Sequence, residues 1–241
     1  MKIPKKIEVC PIVDSVVELR FESSIFPNAV FGLIFNSLKK EFPHVEKLPI
    51  LQLPEQLRDQ DPNFKYKAHY RISSGDGYAV QIGPDVIVIG SPIPYPGWTQ
   101  YSKKINYVID CVLNSGTVDK VTRLGLRFIN FFEIDIFKEI DLAIAIKDQT
   151  HTPKNTLVRT EIEKQNFHNT VQISNNATRT IDNAKETGSI IDIDTFKAYE
   201  NGDFNDIYQD EIELAHVTEK EIFFNLLKSD FLKSLKPTYD D

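Results

Sequence analysis

The chain has 241 residues, of which 41% are hydrophobic and 26% are charged, and its formal net charge at pH 7 is −7. This is the composition of a globular protein, long enough for one large domain or two smaller ones that share a core. The acidity argues against broad, sequence-independent nucleic-acid binding, which needs a basic surface. No apolar run approaches the ~20 residues of a membrane-spanning helix. We therefore expect a soluble, cytoplasmic protein with no membrane partner.

The first half of the chain, residues 1–118, predicts a strand, a helix, three strands and a second helix. Apolar and charged residues alternate over 15–22, which is typical of a strand with one buried face. Apolar residues recur at helical spacing over 27–38, after a proline suited to a first helical turn. The remaining predicted elements are strands at 64–73, 78–82 and 86–89, and a helix that begins near Thr99 and ends before Gly116.

The second half, residues 119–241, repeats this order. The sequence Val17-Glu18-Leu19-Arg20-Phe21 returns as Leu124-Gly125-Leu126-Arg127-Phe128. The predicted elements are a strand at 121–132, a weak helix or turn at 136–146, and strands near 156–166, 168–175 and 189–196. A long hairpin through Asn183 and Gly188 precedes the last of these strands. The final element is a helix at 218–235, which begins with a Thr218/Glu221 capping box. We predict an α+β fold in which a tandem strand-helix-three-strand-helix unit forms one curved, mainly antiparallel sheet, a saddle or a wide barrel, with helices on one face. The halves would pack as a single globular unit.

The outward side chains of the predicted strands would form a heavily charged sheet face. A solvated antiparallel sheet has a polar outer face in any case, so one interpretation is purely structural. The other is that cations of the first half and carboxylates of the second surround a surface that binds an anionic ligand. The cationic candidates are Arg20, Lys65, Lys67, Arg71, Arg123, Arg127 and Arg159.

Two aromatic residues flank a proline-rich loop before the second predicted helix. Tyr95 and Trp98 could stack on a ligand or grip a peptide, or they could anchor the helix to the core. The segment 48–62 holds three prolines without a clear period, and it or an exposed sheet edge could mediate a homodimer.

No motif in the sequence fixes a reaction. The leading hypothesis is therefore a non-enzymatic binding or regulatory protein, without a cofactor, that recognises a protein partner or an anionic small molecule. The alternative is a metal-dependent phosphohydrolase that acts on a nucleotide or polyphosphate in a tunnel-like barrel, with the cations on the phosphates. Its Mg²⁺ or Mn²⁺ ligands would be Glu161, Glu163, Asp192 and Asp194.

The combination of Tyr95-Pro96-Gly97-Trp98 with Arg123-Leu124-Gly125-Leu126-Arg127-Phe128-Ile129-Asn130 resembles a sporadically distributed family of uncharacterised prokaryotic proteins, over nearly the whole chain. That resemblance implies no established activity, and the sporadic distribution suggests phage defence or a toxin–antitoxin pair. A second resemblance is to the triphosphate tunnel metalloenzymes, whose wide antiparallel barrel has a charged lumen and a duplicated unit. Their first strand carries Glu-x-Glu-x-Lys, whereas this chain has Glu18-Leu19-Arg20-Phe21-Glu22, which lacks the second Glu and the Lys.

Overall fold

The computed structural model describes residues 2–147, 149–151, 154–181, 184–200 and 204–239. Over these residues the fold is α+β with a mainly antiparallel sheet, as the sequence predicts, and the large sheet has nine strands. None of the described helices is both long enough and apolar enough to span a membrane.

Thirteen strands and five α-helices are present in the described part of the chain. In chain order the strands are β1 (Lys6–Ile7), β2 (Ile12–Glu22), β3 (His44–Lys47), β4 (Tyr70–Ser73), β5 (Ala79–Ile82), β6 (Val86–Gly90), β7 (Lys120–Phe132), β8 (Ile144–Ile146), β9 (Gln149–His151), β10 (Leu157–Lys164), β11 (Phe167–Ile181), β12 (Ala184–Ala198) and β13 (Pro237–Thr238). The helices are α1 (Pro27–Leu38), α2 (Glu55–Gln60), α3 (Trp98–Leu113), α4 (Phe204–Leu226) and α5 (Ser229–Ser234).

The large sheet has the strand order β10-β11-β12-β7-β2-β6-β5-β4-β3. The pairs β10/β11, β2/β6, β6/β5, β5/β4 and β4/β3 are all antiparallel. Because the order has two ends, β10 and β3, the sheet is open. The predicted alternative of a closed barrel is therefore wrong, and the fold differs here from the barrel that the tunnel-enzyme resemblance implies.

Strong periodicity gave the right elements in both halves. In β2, Val17, Leu19 and Phe21 are buried, as the alternation predicts. Helix α1 begins at Pro27 and α3 begins at Trp98, one residue before the predicted start. A strand has a period of two residues and a helix one of 3.6, so long runs of either pattern are hard to confuse.

The predicted strand at 64–73 is wrong over its first six residues. Strand β4 covers only Tyr70–Ser73, and Pro62–Phe64 form a 3₁₀ turn instead. The Asp61 carboxylate accepts the Asn63 N–H at 2.9 Å and caps this turn. Such local side-chain bonds compete with strand pairing. As a result, Lys65 and Lys67 do not lie on a strand face.

Segment 48–62, whose sequence shows no clear period, contains a 3₁₀ turn over Pro49–Gln52 and the short helix α2. The predicted weak helix near 136–146 is a 3₁₀ turn followed by the β8/β9 hairpin. Gly188 lies inside β12 rather than in the hairpin loop. Asn183, the other residue predicted in that loop, lies outside the described residues.

The predicted capping box at Thr218 is also wrong, because α4 begins at Phe204, fourteen residues earlier. The Thr218 hydroxyl donates to the carbonyl oxygen of Leu214 at 2.7 Å, a bond to the preceding turn of the same helix. Buried Tyr208 and Ile212, four residues apart, continue the apolar stripe toward the start of the helix.

The chain forms two compact units, and each contains residues of both predicted halves. Unit 1 comprises Met1–Val13, Arg127–Thr195 and Leu214–Asp241, and unit 2 comprises Asp14–Leu126 and Phe196–Glu213. The core of unit 1 includes β-strand residues such as Ile173, Ile191 and Ile193 together with Phe223 and Leu227 of α4 and its end.

The core of unit 2 contains the buried faces of β2, α1 and α3. The buried hydroxyl of Tyr101 on α3 donates to the Ile89 carbonyl oxygen at 2.7 Å. Burial raises the pKa of this phenol well above its usual value, so the hydroxyl keeps its proton and the bond persists.

Candidate functional site

In unit 2 the charged sheet face is an ion-pair network centred on Glu18. One oxygen of this carboxylate accepts Arg20 Nε at 2.7 Å and Arg123 Nη1 at 2.6 Å. The Arg20 guanidinium lies 4.4 Å from the centroid of the Tyr66 ring, and that of Arg123 lies 4.4 Å from the Phe196 ring. Both predicted cations are therefore held by an acid of their own face and by an aromatic ring.

Gly125 makes room for this network. A Cβ atom at this position would collide with the guanidinium of Arg123, two residues earlier on the same strand face. Glycine weakens a strand interior, because it has the most backbone entropy to lose and no side chain to pack. Its presence in the middle of β7 therefore has a steric explanation: the Arg123 side chain lies across the strand on its way to Glu18.

In unit 1 the same face carries a two-bond ion pair. Arg127 Nε donates to Asp192 Oδ1 at 2.8 Å, and Arg127 Nη2 donates to Asp192 Oδ2 at 2.6 Å. The Asp192 side chain is 11% exposed and the Arg127 side chain 47% exposed. A planar guanidinium bound through two parallel bonds has a fixed orientation. Arg127 is therefore positioned before any ligand arrives.

A cavity of about 340 Å³ lies beside this pair, entirely within unit 1. Its walls come from β7, β10, β11 and β12. Strands β11 and β12 each contribute two side chains, because residues two apart on a strand share a face. The Arg159–Gln172 pairing of β10 with β11 brings the β10 arginine to the same face. The lining residues are Arg127, Arg159, Thr170, Gln172, Asp192 and Asp194.

The cavity unites four of the residues predicted from the sequence: two of the cations and two of the carboxylates. Thr170 and Gln172 were missed, although strand alternation places both on the outer face of β11. The other predicted cations lie elsewhere. Arg71 Nη1 lies 3.7 Å from Glu46, which is on the neighbouring strand β3. Lys65 lies 5.2 Å from the Tyr66 ring centroid, and Lys67 is exposed.

The two predicted aromatic residues pack around Tyr101. Tyr95 and Trp98 each make an edge contact with the Tyr101 ring, at centroid distances of 6.1 and 6.2 Å. Trp98 also donates its indole N–H to Glu213 at 2.6 Å. These contacts are those expected of residues that anchor α3 to the core. Stacking of either ring on a ligand remains a prediction.

The remaining predicted carboxylates do not join a metal-holding cluster. Glu161 is 72% exposed and contacts Arg159 at 3.4 Å, and Glu163 is 83% exposed and lies 3.6 Å from His168. Among the described residues, no group of three or more Asp, Glu, His or Cys side chains is arranged to hold a metal ion. The metal-dependent alternative thus stays a prediction that this geometry does not support.

A second cavity of unit 1, about 380 Å³, was not predicted from the sequence. Its polar groups bond to one another: Asn175 donates to Asp135 at 3.3 Å and accepts the Thr156 N–H at 2.7 Å. Buried Ser189 donates to the Ile134 carbonyl at 2.7 Å and accepts the Ile136 N–H at 3.1 Å. These bonds fix the backbone around the cavity, which we therefore interpret as structural.

One buried acid in unit 1 was also missed. Glu219 on α4 is 6% exposed, and burial raises its pKa to about 8 despite the neighbouring Lys220. An acid with so high a pKa holds its proton at neutral pH. Its spacing from the apolar residues of α4 could have revealed it, because Glu219 lies four residues from Ala215 and from Phe223, both of which are buried.

No protein-family model and no curated protein matches the chain.

Proposed function

We propose that this is a non-enzymatic binding protein that recognises a small polar ligand, bearing an anionic group, in the cavity beside Arg127 and Asp192. The observation that carries the proposal is the lining of that cavity. Charged and polar side chains from four strands converge there, around the fixed Arg127–Asp192 pair. Convergent polar groups in a cavity are the usual sign of a ligand site.

The charges of the lining define the class of ligand. Two guanidinium groups and two carboxylates surround the cavity, so their formal charges cancel. A polyanion would gain from the arginines and be repelled by Asp192 and Asp194. A zwitterion gains from both, with a carboxylate or phosphate on Arg159 and an ammonium or N–H group on Asp194. The hydroxyl and amide of Thr170 and Gln172 supply further hydrogen bonds.

The volume of the cavity and the polarity of its lining also favour a small polar ligand. A volume of about 340 Å³ lies at the lower end of the range for small-molecule sites. The lining includes no aromatic or aliphatic side chain, so a large apolar ligand would find nothing to pack against. An amino acid or a compact phosphorylated amine has the required size and charges.

Catalysis receives less support from the same residues. The lining contains no His, Cys or Ser, and its hydroxyl group, that of Thr170, lacks a neighbouring general base other than carboxylates. Its arginines supply positive charge and a planar set of hydrogen-bond donors, which suit the binding of an anion. Binding is therefore the simpler function for this set of groups.

We also propose that the chain arose by internal duplication, with helices covering one face of the sheet. Two observations support the duplication. When β3 and α2 are left aside in the first series and the β8/β9 hairpin in the second, the order β2, α1, β4–β6, α3 is followed by β7, a 3₁₀ turn, β10–β12, α4. Along the sheet, β4-β5-β6-β2 corresponds to β10-β11-β12-β7. In this alignment Arg20 corresponds to Arg127, which makes the two charged regions divergent copies of one arrangement.

Calorimetric titration tests the ligand proposal, with L-glutamate, L-aspartate, phosphoethanolamine, AMP and inorganic phosphate as probes. We expect at least one zwitterion to bind more tightly than inorganic phosphate. Replacing Arg159 by Gln and Asp194 by Asn should each weaken that binding by ~10- to 100-fold, the value of one charge-assisted hydrogen bond.

Arg71→Gln is the matched control. It removes the same charge from an exposed position of the sheet, outside the cavity. Binding unaffected by Arg159→Gln and Asp194→Asn, or weakened as much by Arg71→Gln, would show that the cavity is not the site. A preference for inorganic phosphate over every zwitterion would instead refute the proposed class of ligand.

A further inference from the structure

Strand β10 is one end of the large sheet. It has eight residues, Leu157–Lys164, and pairs on one side with β11. The opposite end, β3, has only four residues. An edge strand presents backbone N–H and C=O groups that can pair with another strand, and this capacity grows with strand length. Of the two edges in the described sheet, β10 is therefore the better template.

The backbone groups of β10 that point away from β11 can be identified. Asn175 N–H donates to the carbonyl oxygen of Thr156, and these residues are directly opposed in the continuation of the β10/β11 register. Opposed pairs in an antiparallel ladder alternate between bonded and non-bonded, so Val158, Thr160 and Ile162 also direct their backbone groups toward β11. The outward residues are then Leu157, Arg159, Glu161 and Glu163.

A contact of the Asn169 side chain supports this assignment. Its amide donates to the Ile162 carbonyl oxygen at 3.0 Å, and Asn169 is directly opposite Ile162 on β11. The Ile162 carbonyl therefore faces β11, as the alternation requires. Every second residue of β10 is left with its N–H and C=O directed toward the open edge.

We propose that β10 pairs antiparallel with β10 of a second copy of this chain, about a two-fold axis at Thr160. In this register Arg159 lies opposite Glu161 of the second copy, and Leu157 lies opposite Glu163 of the second copy. All four outward residues of each strand then form bonded pairs. Arg159 and Glu161 share one sheet face, so two opposite-charge pairs flank the axis.

Neighbouring registers are less favourable. Outward residues can pair only with outward residues, so the register changes in steps that move the axis by one residue. An axis at Glu161 sets Arg159 opposite Glu163 of the second copy but places Glu161 against its own symmetry mate, and an axis at Arg159 places that arginine against its own symmetry mate. Directly opposed like charges destabilise a sheet, and both shifts also reduce the number of bonded pairs.

The other face of β10 is complementary as well. With the axis at Thr160, Val158 lies opposite Ile162 of the second copy. Ile162 is 41% exposed, and Val158 is partly buried against the core of unit 1. The pairing would remove apolar surface from water at two symmetric positions. Arg159 belongs to both proposals, because it lines the cavity and lies on the edge strand β10, but the pairing requires no ligand.

Sedimentation equilibrium of the full chain and of two charge-reversed variants tests the proposal. We expect the wild type to dimerise between ~5 and ~200 µM, the range of a modest interface. Arg159→Glu places Glu opposite Glu, and Glu161→Arg places Arg opposite Arg. Each variant alone should dimerise at least ~10-fold more weakly than the wild type.

An equimolar mixture of the two variants tests directly whether residues 159 and 161 lie opposite each other. One strand then carries two acids and the other two arginines, so opposite charges are restored at both pairs and a heterodimer of near wild-type affinity should form. A charge effect within a single chain would not be repaired by mixing. Failure of the mixture to associate while the wild type dimerises would refute the register.

A backbone variant tests the edge itself. Glu161→Pro removes an N–H that points outward, so the β10/β11 ladder should survive, and circular dichroism would check this. Loss of dimerisation with a retained fold supports pairing through β10. A wild type that is monomeric at ~200 µM, or a Glu161→Pro variant that dimerises like the wild type, would overturn the proposal.

Discussion

Glu219 makes the stability of the protein depend on pH in a way that can be calculated. Its pKa is about 8 in the folded protein, against an ordinary value of 4.5, because the carboxyl group is buried. Between these two values the folded state holds a proton that the unfolded state has lost. The free energy of unfolding therefore falls as pH rises from 4.5 to about 8.

The slope is about 1.4 kcal/mol per pH unit for one proton. At pH 7 the accumulated cost of keeping the acid neutral is roughly 3 kcal/mol. Glu219→Gln supplies a neutral side chain of nearly the same shape, without this cost. We expect the variant to be more stable than the wild type by about 3 kcal/mol at pH 7, and of equal stability near the ordinary pKa of the acid.

Urea unfolding of both proteins at several pH values between about 4.5 and 8.5 measures the difference. Subtracting the two curves cancels the contributions of all other titrating groups. Asp210→Asn, an exposed position of α4, makes the same change of formal charge and serves as control. A difference between Glu219→Gln and wild type that does not vary with pH, or that has the opposite sign, would refute the reasoning.

Two further substitutions test how the charged face is held. Gly125→Ala should destabilise the protein by about 1 kcal/mol, because a Cβ atom displaces the Arg123 guanidinium from Glu18 and from the Phe196 ring. Chemical denaturation measures this loss. Gly32→Ala in α1 is the control and should not destabilise the protein, because a Cβ there meets no atom within 4 Å. Asp192→Asn should cost about 1.5 to 3 kcal/mol, because Arg127 loses its charged partner; an unchanged unfolding midpoint would contradict the assigned pairing.

The sequence predicts the fold well where one period dominates. Helices α1 and α3 and strands β2 and β7 follow from apolar spacing, with a proline and a glycine marking helix ends. The errors occur where local hydrogen bonds decide the backbone. Asp61 caps a turn that breaks the alternating pattern of 64–73, and Thr218 bonds within its helix instead of capping it. Both residue types can satisfy either role, so the pattern by itself does not choose.

The candidate site shows a different limit. Alternation correctly predicts that Arg127, Arg159, Asp192 and Asp194 share a sheet face, but it does not predict which strands are neighbours. The order β10-β11-β12-β7 brings these four residues together. The same alternation cannot show that Arg20 and Arg123 share the Glu18 carboxylate. That contact requires β2 and β7, which are far apart in sequence, to be neighbours in the sheet.

Salt dependence offers a test of the charge balance in the cavity. A purely cationic site would attract an anion over long distances, and its affinity would fall steeply as salt screens the field. In this cavity Asp192 and Asp194 cancel the charge of Arg127 and Arg159, so attraction arises from short hydrogen-bonded contacts.

We therefore expect the affinity for a zwitterion to change less than ~3-fold between ~50 and ~500 mM NaCl, because contacts at bonding distance are weakly screened. Calorimetric titration at several salt concentrations measures this, and Asp194→Asn should steepen the dependence for inorganic phosphate by leaving a net positive site. A steep loss of zwitterion binding in the wild type would mean that the arginines act as a long-range cationic patch, and that the carboxylates of the lining do not take part in recognition.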